Sequence, residues 1–265
     1  METESLVAFK EAQKQNWGLF APFEIMTTMC APSLVNFSQI KANDTVLDVG
    51  CGTGVVAITA AKLNAKVSAI DLSPILIERA RENVAIANVK IDLQDGDVES
   101  LPYADQSFDA VLSQFGHMFA PRPEVAIKEM LRVLKPGGII AFSTWPPHLF
   151  AGQLFNLVGK FSPPPISVSP PALWGDPHFV RQQLENLVEE LIFDQNIMRF
   201  PALSIGHYRH SVEHTLGPVI KLVKESKNDP ARLSQFRTEL EALAAAYYAD
   251  NHIHQHYLMS RARKI

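Results

Sequence analysis

A run of nine residues, Val46-Leu47-Asp48-Val49-Gly50-Cys51-Gly52-Thr53-Gly54, concentrates the chemistry of this chain. An apolar strand that enters closely spaced glycines at the start of a helix lets a ligand approach bare backbone, with N–H groups turned toward it. The dinucleotide fingerprint asks for G-x-G-x-x-G, but here Gly50 and Gly52 are followed by Val55 at the third glycine position. Asp48, just ahead of the loop, would repel a pyrophosphate and would accommodate a ligand with a free ammonium group. Asp71 closes the next strand about 20 residues after the loop, where a carboxylate accepts from both hydroxyls of a ribose. Asp97, in Gly96-Asp97-Val98-Glu99, is placed to accept from an adenine amino group while the next backbone N–H meets a ring nitrogen.

Such residues work only if an ordered scaffold brings them to one edge. Short apolar runs at 45–49, 66–70, 90–94, 108–113 and 139–144 read as strands. They alternate with helical stretches at 55–63, 74–87 and 123–134, the second opened by Ser73 as N-cap and Pro74 at the first helical position. Strands and helices at this spacing predict βαβ units and a parallel sheet with right-handed crossovers. After Trp145 the character changes. Seven prolines fall between Pro146 and Pro171 and an eighth is Pro177, which predicts an irregular loop or lid over 146–176 with no regular helix. A helix over 180–190, a strand over 191–200, helices over 204–226 and 232–249, and a last strand over 254–263 complete the prediction.

Four blocks in order, VLDVGCGTG, AIDLS, GDVESLPYADQSFDAVLSQFG and EMLRVLKPGGIIAFSTW, resemble the class I S-adenosylmethionine-dependent methyltransferases. Within them the chain is most similar to the type that includes quinone-biosynthesis enzymes. The resemblance covers about residues 44–145 and, more weakly, Trp174-Gly175-Asp176-Pro177 and the Tyr257-Leu258 strand. It implies an α/β fold, a Rossmann-like doubly wound sheet of seven strands with the last antiparallel, capped by helical and proline-rich insertions. The corresponding parts would be an N-terminal helical cap (1–40), the cofactor-binding core (41–145), a proline-rich lid (146–176), a core helix and strand (177–200), a helical cap insertion (201–252) and the final strand (253–265). It also implies S-adenosylmethionine as cofactor. Asp48, Gly50 and Gly52, with Cys51 between them, would line the methionine part. Asp71 would hold the ribose, Leu72 would pack on adenine, Asp97 and Val98 would bind its edge, and Gln114 would lie beside the sulfonium. The acceptor expected is a small, partly apolar molecule.

Methyl transfer from a sulfonium is an in-line displacement in which positioning and desolvation supply much of the acceleration. A base is needed only where the acceptor must lose a proton. His117, just beyond the fourth strand, is the candidate catalytic base; a histidine packed in its loop is the competing reading. Trp17 and Phe20 either fold over the cofactor or pack as core. The aromatic and aliphatic side chains of 146–176, together with 201–252, are expected to form a mobile cover that supplies the acceptor pocket.

The His207/His210/His214 and His252/His254/His256 sets share faces, but no carboxylate or cysteine completes a metal-ligand spacing, so no metal is expected. A [DN]-P-P-[YF] tetrapeptide is missing after the fourth strand, which disfavours amino methylation of flipped bases, and the acidic pair of the protein-arginine methyltransferases is missing too. With 24 basic against 28 acidic residues, the charge of −4 argues against nucleic acid. Two cysteines, an acidic N-terminus and no apolar run of about 20 residues predict a cytoplasmic protein without stable membrane insertion. Two other classes remain open: a nicotinamide-dependent oxidoreductase, opposed by Asp48 and Val55, and a binding module of the same fold without catalysis.

Overall fold

The computed structural model describes residues 3–164 and 166–265. Pro165 and the first two residues of the expected N-terminal cap lie outside them. Thr3 caps α1 (Glu4–Trp17) by accepting from Leu6 N–H, which satisfies one of the donors a helix start leaves open. A 3-10 turn over Gly18–Phe23 redirects the chain into α2 (Glu24–Ser38), which stops at Gln39 in the left-handed region. Taken as one run, 4–38 is long and apolar enough to cross a membrane by length and composition alone, a test that a core helix also passes. In the fold, α2 buries Cys30, Leu34 and Val35.

The sheet follows the alternation of the sequence. β1 (Thr45–Val49), α3 (Val55–Ala61), β2 (Lys66–Asp71), α4 (Pro74–Ala87), β3 (Ile91–Asp95), β4 (Phe108–Gln114), α5 (Pro123–Val133) and β5 (Leu134–Thr144) run in order. Next come α6 (Phe150–Phe161), α7 (Pro177–Leu184), β6 (Val188–Pro201), α8 (Ile205–Thr215), α9 (Gly217–Glu225), α10 (Pro230–Ala245), β7 (Tyr248–Ala249) and β8 (His252–Lys264). Spatial order is β3-β2-β1-β4-β5-β8-β6, with the two-residue β7 paired to β8. The first five strands are mutually parallel, and β8 is antiparallel to both neighbours, β5 and β6. The doubly wound sheet with an antiparallel last strand is therefore present, and among the described residues the two-residue β7 brings the strand count from seven to eight.

Four of the five β1 residues are buried, because helices cover both faces of a doubly wound sheet. One core packs Leu47, Val49, Val111 and Phe142 under α5 and the later helices; the other packs Val46, Ala110, Leu112 and Ala141 under α2 and α3. Strand order reverses between β1 and β4, so their carboxyl ends diverge and leave a crevice.

The segment 146–176 differs from expectation. It contains the twelve-residue helix α6, because its prolines flank rather than interrupt 150–161. Phe150, Leu154, Leu157, Val158 and Phe161 form the buried face of that helix, the spacing of an amphipathic stripe. The expected 180–190 helix starts earlier, at Pro177, where the Asp176 side chain accepts from His178 N–H at 2.9 Å. The stretch 204–226 divides into α8 and α9 at Leu216-Gly217-Pro218, since proline cannot donate into the preceding turn.

Candidate functional site

Two adjoining hollows open above the carboxyl ends of β1, β2 and β4. Counting space open to solvent, they enclose about 880 and 470 Å³, within the range of small-molecule sites. They share Phe20, Gly50, Gly52, Leu76 and Gln114, and so form one elongated cleft.

The glycine loop forms the floor. Gly50, Gly52 and Gly54 all have positive φ, from 55° to 84°, a region glycine enters without steric cost. A Cβ at Gly52 would meet nothing within 4 Å, whereas one at Gly50 would lie 2.8 Å from Gly116 Cα. The loops leaving β1 and β4 thus touch backbone to backbone. Phe115, between Gln114 and Gly116, adopts φ 58° and stacks on Trp145 with ring centroids 4.0 Å apart. A left-handed aromatic residue is a strained feature held by its surroundings.

Three aspartates border the cleft. Asp71 accepts from Gly52 N–H at 2.8 Å and from Ser73 N–H at 2.9 Å, tying the loop after β1 to the turn after β2. Burial raises its pKa against those two bonds. Asp48 is 1% exposed; its Oδ2 accepts from Ala57 N–H at 3.0 Å while Oδ1 has no partner. Burial, with the nearby charge of Asp71, pushes the Asp48 carboxyl up to about 7. Asp97 Oδ1 accepts from Glu99 N–H at 2.9 Å, and its Oδ2 takes the Lys10 ammonium at 2.6 Å. Gln114 donates from Nε2 to Thr27 O at 2.8 Å, and its buried Oε1 has no partner. Cys51 is buried in the loop, which pushes its thiol well up.

All nine residues expected to hold a cofactor, Asp48, Gly50, Cys51, Gly52, Asp71, Leu72, Asp97, Val98 and Gln114, border this one cleft. His117 is placed differently from those nine. It borders the cleft but is 1% exposed, and its ring lies 4.5 Å from the Phe142 ring and 4.8 Å from that of Trp174. Neither ring nitrogen has a partner, and burial lowers its pKa to about 3. The ring fills core space beneath the site, an arrangement opposed to its service as general base.

The cover also differs from expectation. Neither hollow is bordered by any described residue of 146–176 or 201–252. Those segments spend their apolar side chains on their own core, as Phe150 does on Tyr208 and Tyr247. The N-terminal helices cover the cleft instead, through Lys10, Gln13, Trp17, Phe20, Glu24 and Thr27. Trp17 packs against Phe20 and Phe119, with centroids 4.9 and 4.5 Å away, making an aromatic wall. Glu24 is held by Arg79 and Asn83, which keep its carboxyl below the ordinary value although burial works to raise it. Sequence reasoning missed Lys10, Glu24 and Thr27, because nothing in their spacing connects them to the glycine loop. The two histidine sets make local bonds: His214 Nδ1 lies 2.7 Å from His210 O, and His252 Nδ1 lies 2.7 Å from Asp250 O.

A family model described as a methyltransferase domain matches residues 47–142. An uncharacterized protein of Mycobacterium tuberculosis is 31% identical over 261 residues, covering 95% of this chain and 93% of its own. Demethylmenaquinone methyltransferase of Staphylococcus aureus is 40% identical over 131 residues, 47% of this chain and 54% of its own. Among solved structures, a protein of Bacillus halodurans C-125 superposes with a TM-score of 0.60 at 20% identity, covering 88% of this chain and 98% of its own.

Proposed function

The chain belongs to the class I S-adenosylmethionine-dependent methyltransferases, and on that premise we propose which residues hold the cofactor and what kind of acceptor the cleft admits. The enzyme methylates a small molecule. In our assignment Asp48, Gly50, Cys51 and Gly52 receive the methionine part of the cofactor, and Asp71 the ribose. Leu72 packs on adenine, Asp97 and Val98 meet its edge, and Gln114 stands beside the sulfonium.

One observation carries this reading: two buried acceptor atoms of residues that border the cleft, Asp48 Oδ1 and Gln114 Oε1, have no partner among the described residues. A buried acceptor without a donor costs about 1–3 kcal/mol, and a ligand bearing an ammonium and a sulfonium meets that need. When bound, the cofactor supplies a methyl group on positively charged sulfur, which an acceptor lone pair takes in line with the departing thioether. The chain contributes orientation and exclusion of water. Asp71 already spans both loops, so its carboxylate is fixed before a ribose arrives. Trp17, Phe20 and Phe119 dry the other wall.

For the acceptor we assign a small, partly apolar molecule seated against that aromatic wall. The carboxylates at the cleft are engaged by backbone N–H groups, Lys10 or Arg79, and the one open oxygen, Asp48 Oδ1, is assigned to the cofactor's ammonium. The acceptor therefore arrives in its nucleophilic form, and turnover follows the acceptor's own ionisation. The name of the staphylococcal relative makes a reduced quinone ring a sensible first compound to test. Two free, buried thiols suit a reducing, cytoplasmic setting.

Calorimetry with S-adenosylhomocysteine and with NAD, followed by turnover on a panel of phenols, thiols and amines, tests the proposal. We expect binding of the first ligand only, and methylation whose rate rises with the ionised fraction of the acceptor. Binding without turnover on any panel member would favour a non-catalytic module, and a pH profile independent of the acceptor would point to a base supplied by the protein.

A further inference from the structure

α1 places one ammonium group almost wholly out of water. Lys10 is 6% exposed, with its Nζ 2.6 Å from Asp97 Oδ2 and 2.6 Å from Glu99 Oε2. A buried lysine is tolerated only when paired, and ordering its long side chain costs rotamer entropy. Glu99 by itself would satisfy an anchor for α1. It is already held by Arg122, whose backbone N–H reaches Oε1 at 2.6 Å and whose Nε reaches Oε2 at 2.8 Å. The second contact of Lys10 falls on Asp97, the carboxylate assigned above to the adenine amino group.

We infer that Lys10 is a positioning residue for the adenine subsite: by pairing with Asp97 it sets the carboxylate at the angle that selects a 6-amino purine. This rests on the assignment of Asp97 in the proposed function. A carboxylate oxygen has two acceptor directions. Glu99 N–H takes one on Oδ1 and Lys10 takes one on Oδ2, so the rotamer is fixed from both sides and an acceptor direction stays open for an amino hydrogen. Charge-assisted contacts of this kind are short and directional. Lys10 is also a cation from a segment 87 residues away, so the helix covering the cleft and the turn reading the base are fastened together at one point.

The test compares S-adenosylhomocysteine with its analogue that carries hydrogen in place of the adenine 6-amino group. Affinities of both would be measured for wild type, Lys10→Met, Lys10→Arg and Asp97→Asn. Wild type should prefer the amino ligand. Lys10→Met should lose about tenfold for S-adenosylhomocysteine and little for the analogue, since a hydrogen bond to a charged group is at stake. Lys10→Arg should restore most of the preference, and Asp97→Asn, in which Lys10 keeps Glu99, should lose it. Equal weakening of both ligands in Lys10→Met would mean that Lys10 only anchors α1, and tighter binding would mean that it competes with the base; either overturns the inference, as would no change. A wild type that binds both ligands equally would remove the Asp97 assignment and this inference together, whereas one that binds neither would strike the cofactor assignment itself.

Discussion

Asp48 and His117 are both buried ionisable groups beside the cleft, and their surroundings push them in opposite directions. Burial raises the Asp48 carboxyl from its ordinary value of 3.8 to about 7. In the empty protein this favours the protonated form, so its contribution to stability is present at acid pH and is lost as pH rises from 3.8 through about 7. A bound ammonium group would reverse the preference and draw the proton off. Affinity for S-adenosylhomocysteine should therefore tighten as pH rises to about 7 and then level. Asp48→Asn should bind about tenfold more weakly at alkaline pH and flatten that profile; calorimetry across pH checks it, and an unaltered profile would detach Asp48 from the ligand. His117 is lowered from 6.5 to about 3 by burial, so the stability it lends is present above 6.5 and is lost as pH falls through about 3. His117→Leu removes two unpartnered nitrogens from an aromatic core. It should raise stability at acid pH by about 1 kcal/mol and leave the pH dependence of turnover intact, as denaturation and rate measurements would report. A lost limb of the pH–rate profile would restore His117 as a base.

The loops after β1 and β4 act as one element because their backbones touch. A Cβ at Gly116 would lie 2.6 Å from Gly50 O, and neither main chain can yield without shifting the glycine loop. Gly116→Ala should spread the two loops, weaken S-adenosylhomocysteine by tenfold or more, about 1.4 kcal/mol, and leave the sheet folded. Affinity equal to wild type would show that the contact has slack. The β1 loop was legible in the sequence because its glycines stand three within five residues. Gly116 was not, since its reason lies across the sheet. α6 shows the same limit: a count of prolines over 146–176 predicted a loop, while their placement outside 150–161 left room for three turns of helix.

For the whole molecule, the question is which segment covers the cleft. The N-terminal helices border both hollows, and the described residues of 146–176 and 201–252 border neither. S-adenosylhomocysteine should accordingly slow hydrogen exchange over 4–27 and in the glycine loop, with little change over 150–161 and 205–245. The reverse pattern would return the cover to the later segments. α1 and the 3-10 turn also rest on α9, where Gly217 leaves room for Phe20, so the later helices support the cover from behind.

By itself the sequence determined the βαβ core, the order of the glycine loop and the Asp48, Asp71 and Asp97 carboxylates, and their arrival at one edge. This was possible because β1, β2 and β3 are neighbours joined in turn by the single helices α3 and α4, so spacing along that part of the chain translates into position along the edge. Only the tertiary structure decided that Lys10, Glu24 and Thr27 close the cleft, that the His117 ring turns into the core, and that the later segments pack elsewhere. The physical reason is that periodicity reveals which face of an element is apolar but not which surface will cover it. A contact such as Lys10 to Asp97, or Gln114 to Thr27 O, joins groups 87 residues apart and exists only after the whole sheet has set their separation.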